Sequence, residues 1–324
     1  MSVKSKSGSR RRSLLVVSLV LVVVLFVSFL CVYMFLVVNS GSGRVKNASE
    51  LRDAVNNAEV FVPTTITLTK DISLGALVIP AGADITLTSA GNGFFKLIGA
   101  NGARVITVQS GGRLTLDGII VTHETDSTGN GIIVESGGTL TLLDGEISGN
   151  TADWGGGVVN DGVFEMFGGV ISGNTANVNS GGGGVYNGGT FKMYGGSITG
   201  NTVTLLNTVD DIGGGGGVRS GGVFEMLGGV ISGNTAAIGG GVYHAGSFIM
   251  SGGEISDNIA TISGGGVCVM VGSFSMSGGL ISNNYAYDGV GGGVYNYYGT
   301  FNRSGGEISG NAAAVDNDIS QKTK

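Results

Sequence analysis

The feature that most constrains this chain is a heptapeptide, Gly-Gly-x-Ile-(Ser/Thr)-x-Asn, that recurs through its second half. The motif occurs at 168–174, 195–201, 228–234, 252–258, 278–284 and 305–311, with a related version at 144–150. Successive isoleucines of the motif lie 24 to 33 residues apart. Repetition at such a period is typical of solenoids, in which each repeat forms one coil that packs against its neighbours.

Each repeat also contains short apolar segments with the alternation of a β-strand. A Gly-rich turn leads into a Val-containing triplet such as 185–187, and a Phe-x-Met segment follows, as at 191–193. Side chains alternate across a strand, so Val, Phe, Met and Ile of one coil can face a common interior. We therefore predict three short strands per repeat, with like residues stacked in columns about 4.8 Å apart. The recurring Asn is predicted to adopt a left-handed turn conformation and to share amide hydrogen bonds along the stack.

Composition agrees with this architecture. The chain has 64 glycines, but they do not recur at every third residue and there are only two prolines, which excludes collagen. Apolar residues make up 42% and charged residues 12%, which argues against disorder. Coils of variable length favour a right-handed crossover. The predicted fold class is all-β, a right-handed parallel β-helix of about ten coils.

Length variation falls at one place in the repeat. The segments between the Asn and the next Gly run contain four to eleven residues and lie at 151–154, 175–180, 202–212, 235–238, 259–263 and 285–290. Repeat proteins often carry their binding loops on such an edge. We expect these segments to project from one side of the solenoid.

The region 49–116 is predicted to begin the solenoid. Residues 49–58 have the pattern of a short amphipathic helix, with Ser49 or Asn47 as N-cap, that can cover the open end of the stack. Alternating segments at 66–69, 85–88, 105–108 and 114–116 are predicted strands of less regular first coils. The Gly-rich repeats then occupy 117–311, and a polar tail occupies 312–324.

An uncharged, apolar segment at 14–38 predicts a membrane partner for the chain. As a helix its 25 residues span roughly 37 Å, more than the roughly 30 Å of a bilayer core. The basic segment 1–13 is expected to stay cytoplasmic, which places the linker at 39–48 and everything after it outside the cell. The alternative is a signal peptide cleaved near Ser40, which would give a secreted protein.

Charge and cysteine content exclude two further classes of protein. Beyond residue 43 the chain carries 12 basic and 23 acidic residues, a net charge of −11, so no nucleic-acid partner is expected. Cys31 lies in the apolar segment and Cys268 in the repeats, so no intramolecular disulfide is expected. Stability must then come from packing and backbone pairing.

The repeated Gly-Gly-x-Ile-Ser-Gly-Asn with Gly-Gly-Gly-Val resembles bacterial and archaeal adhesin-like surface proteins of the right-handed parallel β-helix (pectin lyase-like) superfamily. It is also similar to the repeats of chlamydial polymorphic membrane proteins. The resemblance covers roughly residues 60–320 and implies a surface-displayed β-helix. The last repeat departs from the pattern, because Arg303 stands where its predecessors have Met.

Because β-helix folds also carry polysaccharide lyases and hydrolases, the sequence was searched for paired carboxylates and metal ligands. The best carboxylate pair is Asp210-Asp211, which the sequence favours as a solvated loop because no His or cation accompanies it. His123 with Glu124 and Asp126 lacks a second His or Cys, and His244 has the position of a turn residue. We predict no catalytic residue, no metal site and no cofactor.

Aromatic residues are the best candidates for ligand contact. Tyr186, Tyr243 and Tyr295 occupy equivalent, outward positions of successive repeats, and Trp154, Tyr285 and Tyr287 lie in the variable segments. Aromatic faces stack on sugar rings, although Tyr is also a good strand former. A separate row, Glu165, Lys192 and Glu225, is predicted to be a surface charge ladder. These features favour a non-enzymatic, adhesin-like protein that binds a carbohydrate or a surface protein; the alternatives are a carbohydrate-active enzyme and a passive spacer in the cell envelope.

Overall fold

The computed structural model describes residues 42–178, 181–204 and 214–322. The predicted membrane segment at 14–38, the basic residues before it and the cleavage site near Ser40 lie outside these residues, as does Cys31. Within the described ranges no helix has the length and apolar character needed to cross a bilayer.

The described chain contains one helix, α1 (Ala48–Asn56), which lies between the first and second strands. Of the two predicted caps the structure uses Asn47, whose side-chain oxygen accepts a hydrogen bond from the backbone N–H of Glu50 at 3.0 Å. Leu51 and Val55, one helical turn apart, are buried in the main core beside the first strands. The helix therefore covers the N-terminal end of the apolar interior.

The remainder of the described chain is built from short strands joined by tight turns. The first coils contain β1 (Ser42–Val45), β2 (Pro63–Leu68), β3 (Ile72–Leu74), β4 (Leu77–Ile79), β5 (Asp84–Ser89), β6 (Phe95–Gly99), β7 (Ile106–Val108), β8 (Arg113–His123) and β9 (Ile132–Val134). The repeats begin with β10 (Thr139–Ser148), β11 (Thr151–Ala152), β12 (Val158–Asn160), β13 (Val163–Met166), β14 (Val170–Ser172), β15 (Thr175–Ala176), β16 (Val185–Asn187), β17 (Thr190–Met193), β18 (Ser197–Thr199), β19 (Thr202–Val203), β20 (Val218–Ser220), β21 (Val223–Met226) and β22 (Val230–Ser232). The last repeats contain β23 (Thr235–Ile238), β24 (Val242–His244), β25 (Ser247–Met250), β26 (Glu254–Ser256), β27 (Ile259–Ser263), β28 (Val267–Val269), β29 (Ser273–Met276), β30 (Leu280–Ser282), β31 (Tyr285–Val290), β32 (Val294–Asn296), β33 (Thr300–Arg303), β34 (Glu307–Ser309), β35 (Ala312–Val315) and β36 (Ile319–Gln321).

These strands form three parallel sheets along the stack, which we call sheets I, II and III. Sheet I has 19 strands and contains the Phe-x-Met and Ile segments; sheet II has ten strands, from β4 to β36, and contains the Val triplets. Sheet III has seven short strands, from β11 to β35. One strand of sheet II per coil gives about ten coils, so the predicted right-handed parallel β-solenoid is confirmed.

A regular coil contains four strands, whereas the sequence predicted three. The additional strand forms sheet III and lies in the segments that were interpreted as variable loops, where Thr151 pairs with Thr175 and Ala152 with Ala176. Strands of two residues have no measurable alternation, so their pairing leaves no periodic signal in the sequence.

The predicted columns of like residues are confirmed by the register of sheet I. The Phe residues of successive coils pair directly, and five of them are fully buried: Phe164, Phe191, Phe224, Phe248 and Phe274. Their rings are stacked with centroids 4.5 to 4.9 Å apart. This spacing matches the separation of adjacent strands, so backbone pairing and aromatic stacking reinforce each other.

The recurring Asn residues form a buried amide ladder, as the sequence predicted. Its members are Asn150, Asn174, Asn201, Asn234, Asn258, Asn284 and Asn311. Each Nδ2 donates to Oδ1 of the next member at 2.9 to 3.0 Å, and each backbone N–H donates to the same oxygen. The predicted left-handed Asn conformation is wrong: the residue before each Asn has the positive φ, between 56° and 69°. That preceding residue makes the turn and leaves the Asn free to point inward.

Both ends of the Asn ladder are closed by a side chain of matching polarity. At the N-terminal end His123 Nδ1 lies 2.8 Å from Asn150 Oδ1, and its Nε2 lies 2.8 Å from the carbonyl oxygen of Ala103. At the C-terminal end the carboxylate of Asp318 accepts from the backbone N–H and the Nδ2 of Asn311 at 3.1 and 3.0 Å. A donor thus begins the ladder and an acceptor ends it.

A second polar column lies inside sheet II and is interrupted. Asn160 donates to Asn187 at 2.7 Å, and Asn187 donates to the hydroxyl of Ser220 at 3.0 Å. The next rung is His244, which the sequence assigned to a turn; that prediction is wrong, because its side chain points inward and is fully buried. Neither ring nitrogen makes a hydrogen bond of good geometry. Burial lowers the pKa of His244, and the nearby backbone groups of Gly246 and Ser273 oppose this shift in part.

Candidate functional site

A groove lies on the outer face of sheet II. Its floor is formed by Ile133, Val159 and Tyr186, from three successive strands β9, β12 and β16. These side chains face outward because side chains alternate along a strand: Val158, just before Val159, and Val185, just before Tyr186, point into the core. The groove has a volume of about 640 Å³, within the range typical of small-ligand sites.

Polar residues line the walls of the groove. Thr128 and Asn130 come from the connection that precedes β9, and Asp153 and Asn177 come from the segments that follow β11 and β15. The Asn130 amide donates to the carbonyl oxygens of Trp154 and Gly155, which ties the two walls together. The sequence did not identify Thr128, Asn130, Asp153 or Asn177, because irregular connections carry no repeat signal.

Two predicted ligand contacts meet at this groove. Trp154 lies edge-on to Tyr186, with ring centroids 5.7 Å apart and an interplanar angle of 88°, and both residues line the groove. Trp154 is 46% exposed, which is high for the single tryptophan of the chain. The pair presents apolar ring surface to solvent beside hydroxyl, amide and carboxylate groups, a combination suited to sugar rings.

The aromatic column continues above the groove, but it does not stay exposed. Arg219 follows Tyr186 in the next strand and Tyr243 follows Arg219. Tyr243 is only 8% exposed, so the prediction that it faces solvent like Tyr186 is wrong. The cause is the longer strand β23, whose last residues cluster with Tyr243 and Cys268. Burial there raises the pKa of the Cys268 thiol to about 12.

The other predicted aromatic contacts lie away from the groove. Tyr285 and Tyr287 pack edge-on against each other at 4.4 Å and are both exposed. Tyr295 is half-buried beside Tyr297, and burial raises its pKa. At the same end of the solenoid the Lys322 ammonium donates to the hydroxyls of Tyr297 and Tyr298 at 2.7 and 2.8 Å. These aromatic groups pack against one another or bind Lys322, and none of them lines the groove on sheet II.

The predicted charge ladder is present on the outer face of sheet I. Glu165, Lys192 and Glu225 occupy consecutive rungs, and the Lys192 ammonium lies 4.0 Å from the Glu225 carboxylate. The side chains of that ion pair are about one-third exposed. Solvent-screened pairs of this kind contribute at most about 1 kcal/mol, so the ladder supports the sheet surface and forms no site.

The groove offers limited means for acid–base chemistry. Asp153 is the one carboxylate among its lining residues, whereas glycoside hydrolysis generally uses two. Across the described ranges no three His, Cys, Asp or Glu side chains converge as a metal site, and both ring nitrogens of His123 face carbonyl oxygens of the fold. The candidate pair Asp210-Asp211 lies outside the described residues.

No family model matches this chain, and searches among curated proteins and among solved structures find no match either. The repeat motifs and the coil geometry are therefore the basis for any functional inference.

Proposed function

We propose that this protein is a surface-displayed, non-enzymatic β-helix protein, adhesin-like in role, that binds a polysaccharide in the groove on sheet II. The observation that carries the proposal is the pairing of Trp154 with Tyr186 above a floor of apolar residues. Polysaccharides present apolar ring faces together with hydroxyl groups, and the groove offers partners for both.

The arrangement is suited to binding rather than turnover. The side-chain oxygen of Asn130 and the carboxylate of Asp153 can accept from sugar hydroxyls, and the Asn177 amide can accept or donate, without any change of protonation. The rigid coil beneath fixes the spacing of the aromatic residues, because each rung is held by parallel backbone pairing. A preorganised site of this kind loses little conformational entropy when a ligand binds.

Display outside the cell is part of the same proposal and rests on the apolar segment 14–38 with its basic flank. Fractionation of the producing cells, with N-terminal sequencing of any released form, tests it. An uncleaved chain in the membrane fraction is expected. A mature form that begins near residue 41 would show a secreted protein instead.

Binding is tested by titrating the full-length chain with a panel of oligosaccharides and measuring heat of binding. Trp154→Ala and Tyr186→Ala should each weaken binding about tenfold or more, since one aromatic stacking contact contributes roughly 1–3 kcal/mol. Tyr287→Ala is the matched control, an exposed ring outside the groove, and should leave the affinity unchanged. Equal affinities in all three variants, or release of shortened sugars from the panel, would refute the proposal.

A further inference from the structure

The few basic side chains of the repeats differ in the contacts that they make. Residues 117–311 contain only Lys192, Arg219 and Arg303 as Lys or Arg. Lys192 faces the Glu225 carboxylate, and Arg303 donates to the carbonyl oxygens of two glycines of its own turn. No side-chain hydrogen bond or ion pair joins Arg219 to the described part of the chain, where its guanidinium lies beside two tyrosine rings.

Arg219 is held in a defined orientation. Its Cζ lies 4.8 Å from the ring centroid of Tyr186 and 5.8 Å from that of Tyr243, so the guanidinium is placed between two tyrosines of adjacent rungs. Such cation–π contacts fix the side chain but supply no hydrogen-bond acceptor. Nε is sealed from solvent and has no partner. The residue as a whole is only partly buried, so part of the side chain is open to solvent.

Arg219 lies beside the proposed groove. Tyr186 forms part of the groove floor, and Arg219 is the next residue along the same outward column. A ligand that stacks on Trp154 and Tyr186 and extends by one rung, about 4.8 Å, reaches the guanidinium. The planar fork of an arginine matches a carboxylate, which it binds through two parallel hydrogen bonds.

We propose that the groove selects an acidic polysaccharide, with a sugar carboxylate bound to Arg219; this inference rests on the proposed polysaccharide-binding function. The charges around the groove favour a ligand whose negative charge is bound at a single point. Outside its first 43 residues the chain has a net charge of −11, so long-range attraction does not recruit acidic ligands, and Asp153 occupies the opposite part of the groove. The sugar carboxylate therefore binds Arg219, and the neutral sugar hydroxyls bind the polar residues of the groove walls.

The test compares a mannuronic acid tetrasaccharide with its methyl ester, in which each carboxyl group is uncharged and carries one added methyl group. With the full-length chain the acid should bind at least about tenfold more tightly, since hydrogen bonds to a charged group contribute roughly 1.5–3 kcal/mol. Arg219→Gln should remove this preference and leave the affinity for the ester within about twofold. Arg219→Lys should retain part of it. Lys192→Gln, which removes a cation on another sheet, is the matched control and should behave as the unchanged protein.

The outcomes separate the two proposals. Equal affinity for acid and ester, or an acid preference that persists in Arg219→Gln, overturns the role of Arg219 while leaving the groove a glycan site. Absence of binding to every oligosaccharide overturns both. A sulfated tetrasaccharide of the same linkage that binds more tightly than the acid overturns the assignment to a carboxylate. Thermal melting of each variant establishes that a lost preference does not reflect a lost fold.

Discussion

The buried Asn ladder makes a quantitative prediction at its middle rung, Asn234. This side chain is fully buried, and its Oδ1 accepts two hydrogen bonds from Asn201, one from the backbone N–H and one from Nδ2, both at 2.9 Å. Its own Nδ2 donates to the carbonyl oxygen of Ile198 and to Oδ1 of Asn258, each at 2.9 Å. Nδ2 also donates to the carbonyl oxygen of Ser232 at 3.1 Å, so Asn234→Ala removes five hydrogen bonds at once.

The expected cost follows from the groups left without a partner. Two donors of Asn201 and the carbonyl oxygens of Ile198 and Ser232 lose a partner. Asn201 Nδ2 keeps two backbone acceptors, and Asn258 Oδ1 keeps the backbone N–H of residue 234 at 3.0 Å. An unsatisfied buried polar group costs about 1–3 kcal/mol, and a water molecule that enters the space left by the amide can recover part of this. We expect Asn234→Ala to lower the free energy of unfolding by roughly 3–6 kcal/mol.

An isosteric variant separates hydrogen bonding from volume. In Asn234→Asp a carboxylate oxygen replaces the amide and faces the oxygens of Ile198 and Asn258, which are both acceptors. The ionised acid should therefore be less stable than the Ala variant at neutral pH. Its pKa in the folded chain should lie above the unfolded value of about 3.9, so stability should recover as the pH falls and the acid becomes a donor.

The assay is urea unfolding of the full-length chain followed by far-ultraviolet circular dichroism, with midpoint and slope both measured. Coils interact chiefly with their neighbours, so a broken middle rung should also lower the slope as the two halves unfold separately. Asn302→Ala, an exposed Asn on the outer face of β33, is the control and should change stability by less than about 0.5 kcal/mol. A cost below about 1 kcal/mol for Asn234→Ala, or an Asp variant as stable as the Ala variant at pH 7, would refute the reasoning.

Three further outcomes are expected. Burial lowers the pKa of His244 from its ordinary value of 6.5. Because the unfolded chain then binds this proton more readily than the folded chain, the neutral imidazole contributes stability above pH 6.5, and this contribution is lost as the pH falls below 6.5. The decrease in unfolding free energy between pH 7 and pH 5 should therefore be smaller in His244→Asn than in the unchanged chain. Gly216→Ala should unfold at clearly lower urea, because a Cβ there would lie 2.4 Å from the Gly240 carbonyl oxygen, whereas Gly221→Ala, with open space around its Cβ, should unfold like the unchanged chain. Cys268 should resist iodoacetamide at pH 8 in the folded protein and react in denaturant, as peptide mass mapping can measure, since burial raises its thiol pKa to about 12; modification in the native state would contradict the buried position.

The interior of the solenoid could be predicted from the sequence because one-residue alternation and the repeat period act there together. Phe224, Ile231 and Asn234 recur at equivalent positions of each repeat, and a residue that points inward in one coil must do so in the next. The conformation of the Asn residues could not be read in this way. Both Gly and Asn tolerate positive φ, and only the geometry shows that the preceding residue adopts it.

The outer surface was less predictable, since it depends on contacts between segments of unequal length. Tyr186 and Tyr243 are equivalent in the repeat, yet the Ala237 and Ile238 extension of β23 packs against Tyr243 and leaves it only 8% exposed. The groove walls raise the same difficulty. Thr128 and Asp153 are more than twenty residues apart and belong to different coils, so no local pattern connects them.

The position of the groove follows from how the coils change along the chain. A column of identical rungs presents a uniform outer face, and a concavity requires neighbouring coils to differ. One such difference lies where the irregular first coils meet the Gly-rich repeats, and His123 marks this junction because it closes the Asn ladder there. The connection after His123 forms one wall of the groove, and the first variable segment of the repeats, with Asp153 and Trp154, forms the other. The same break in periodicity that requires a special end to the polar ladder therefore creates the proposed binding site.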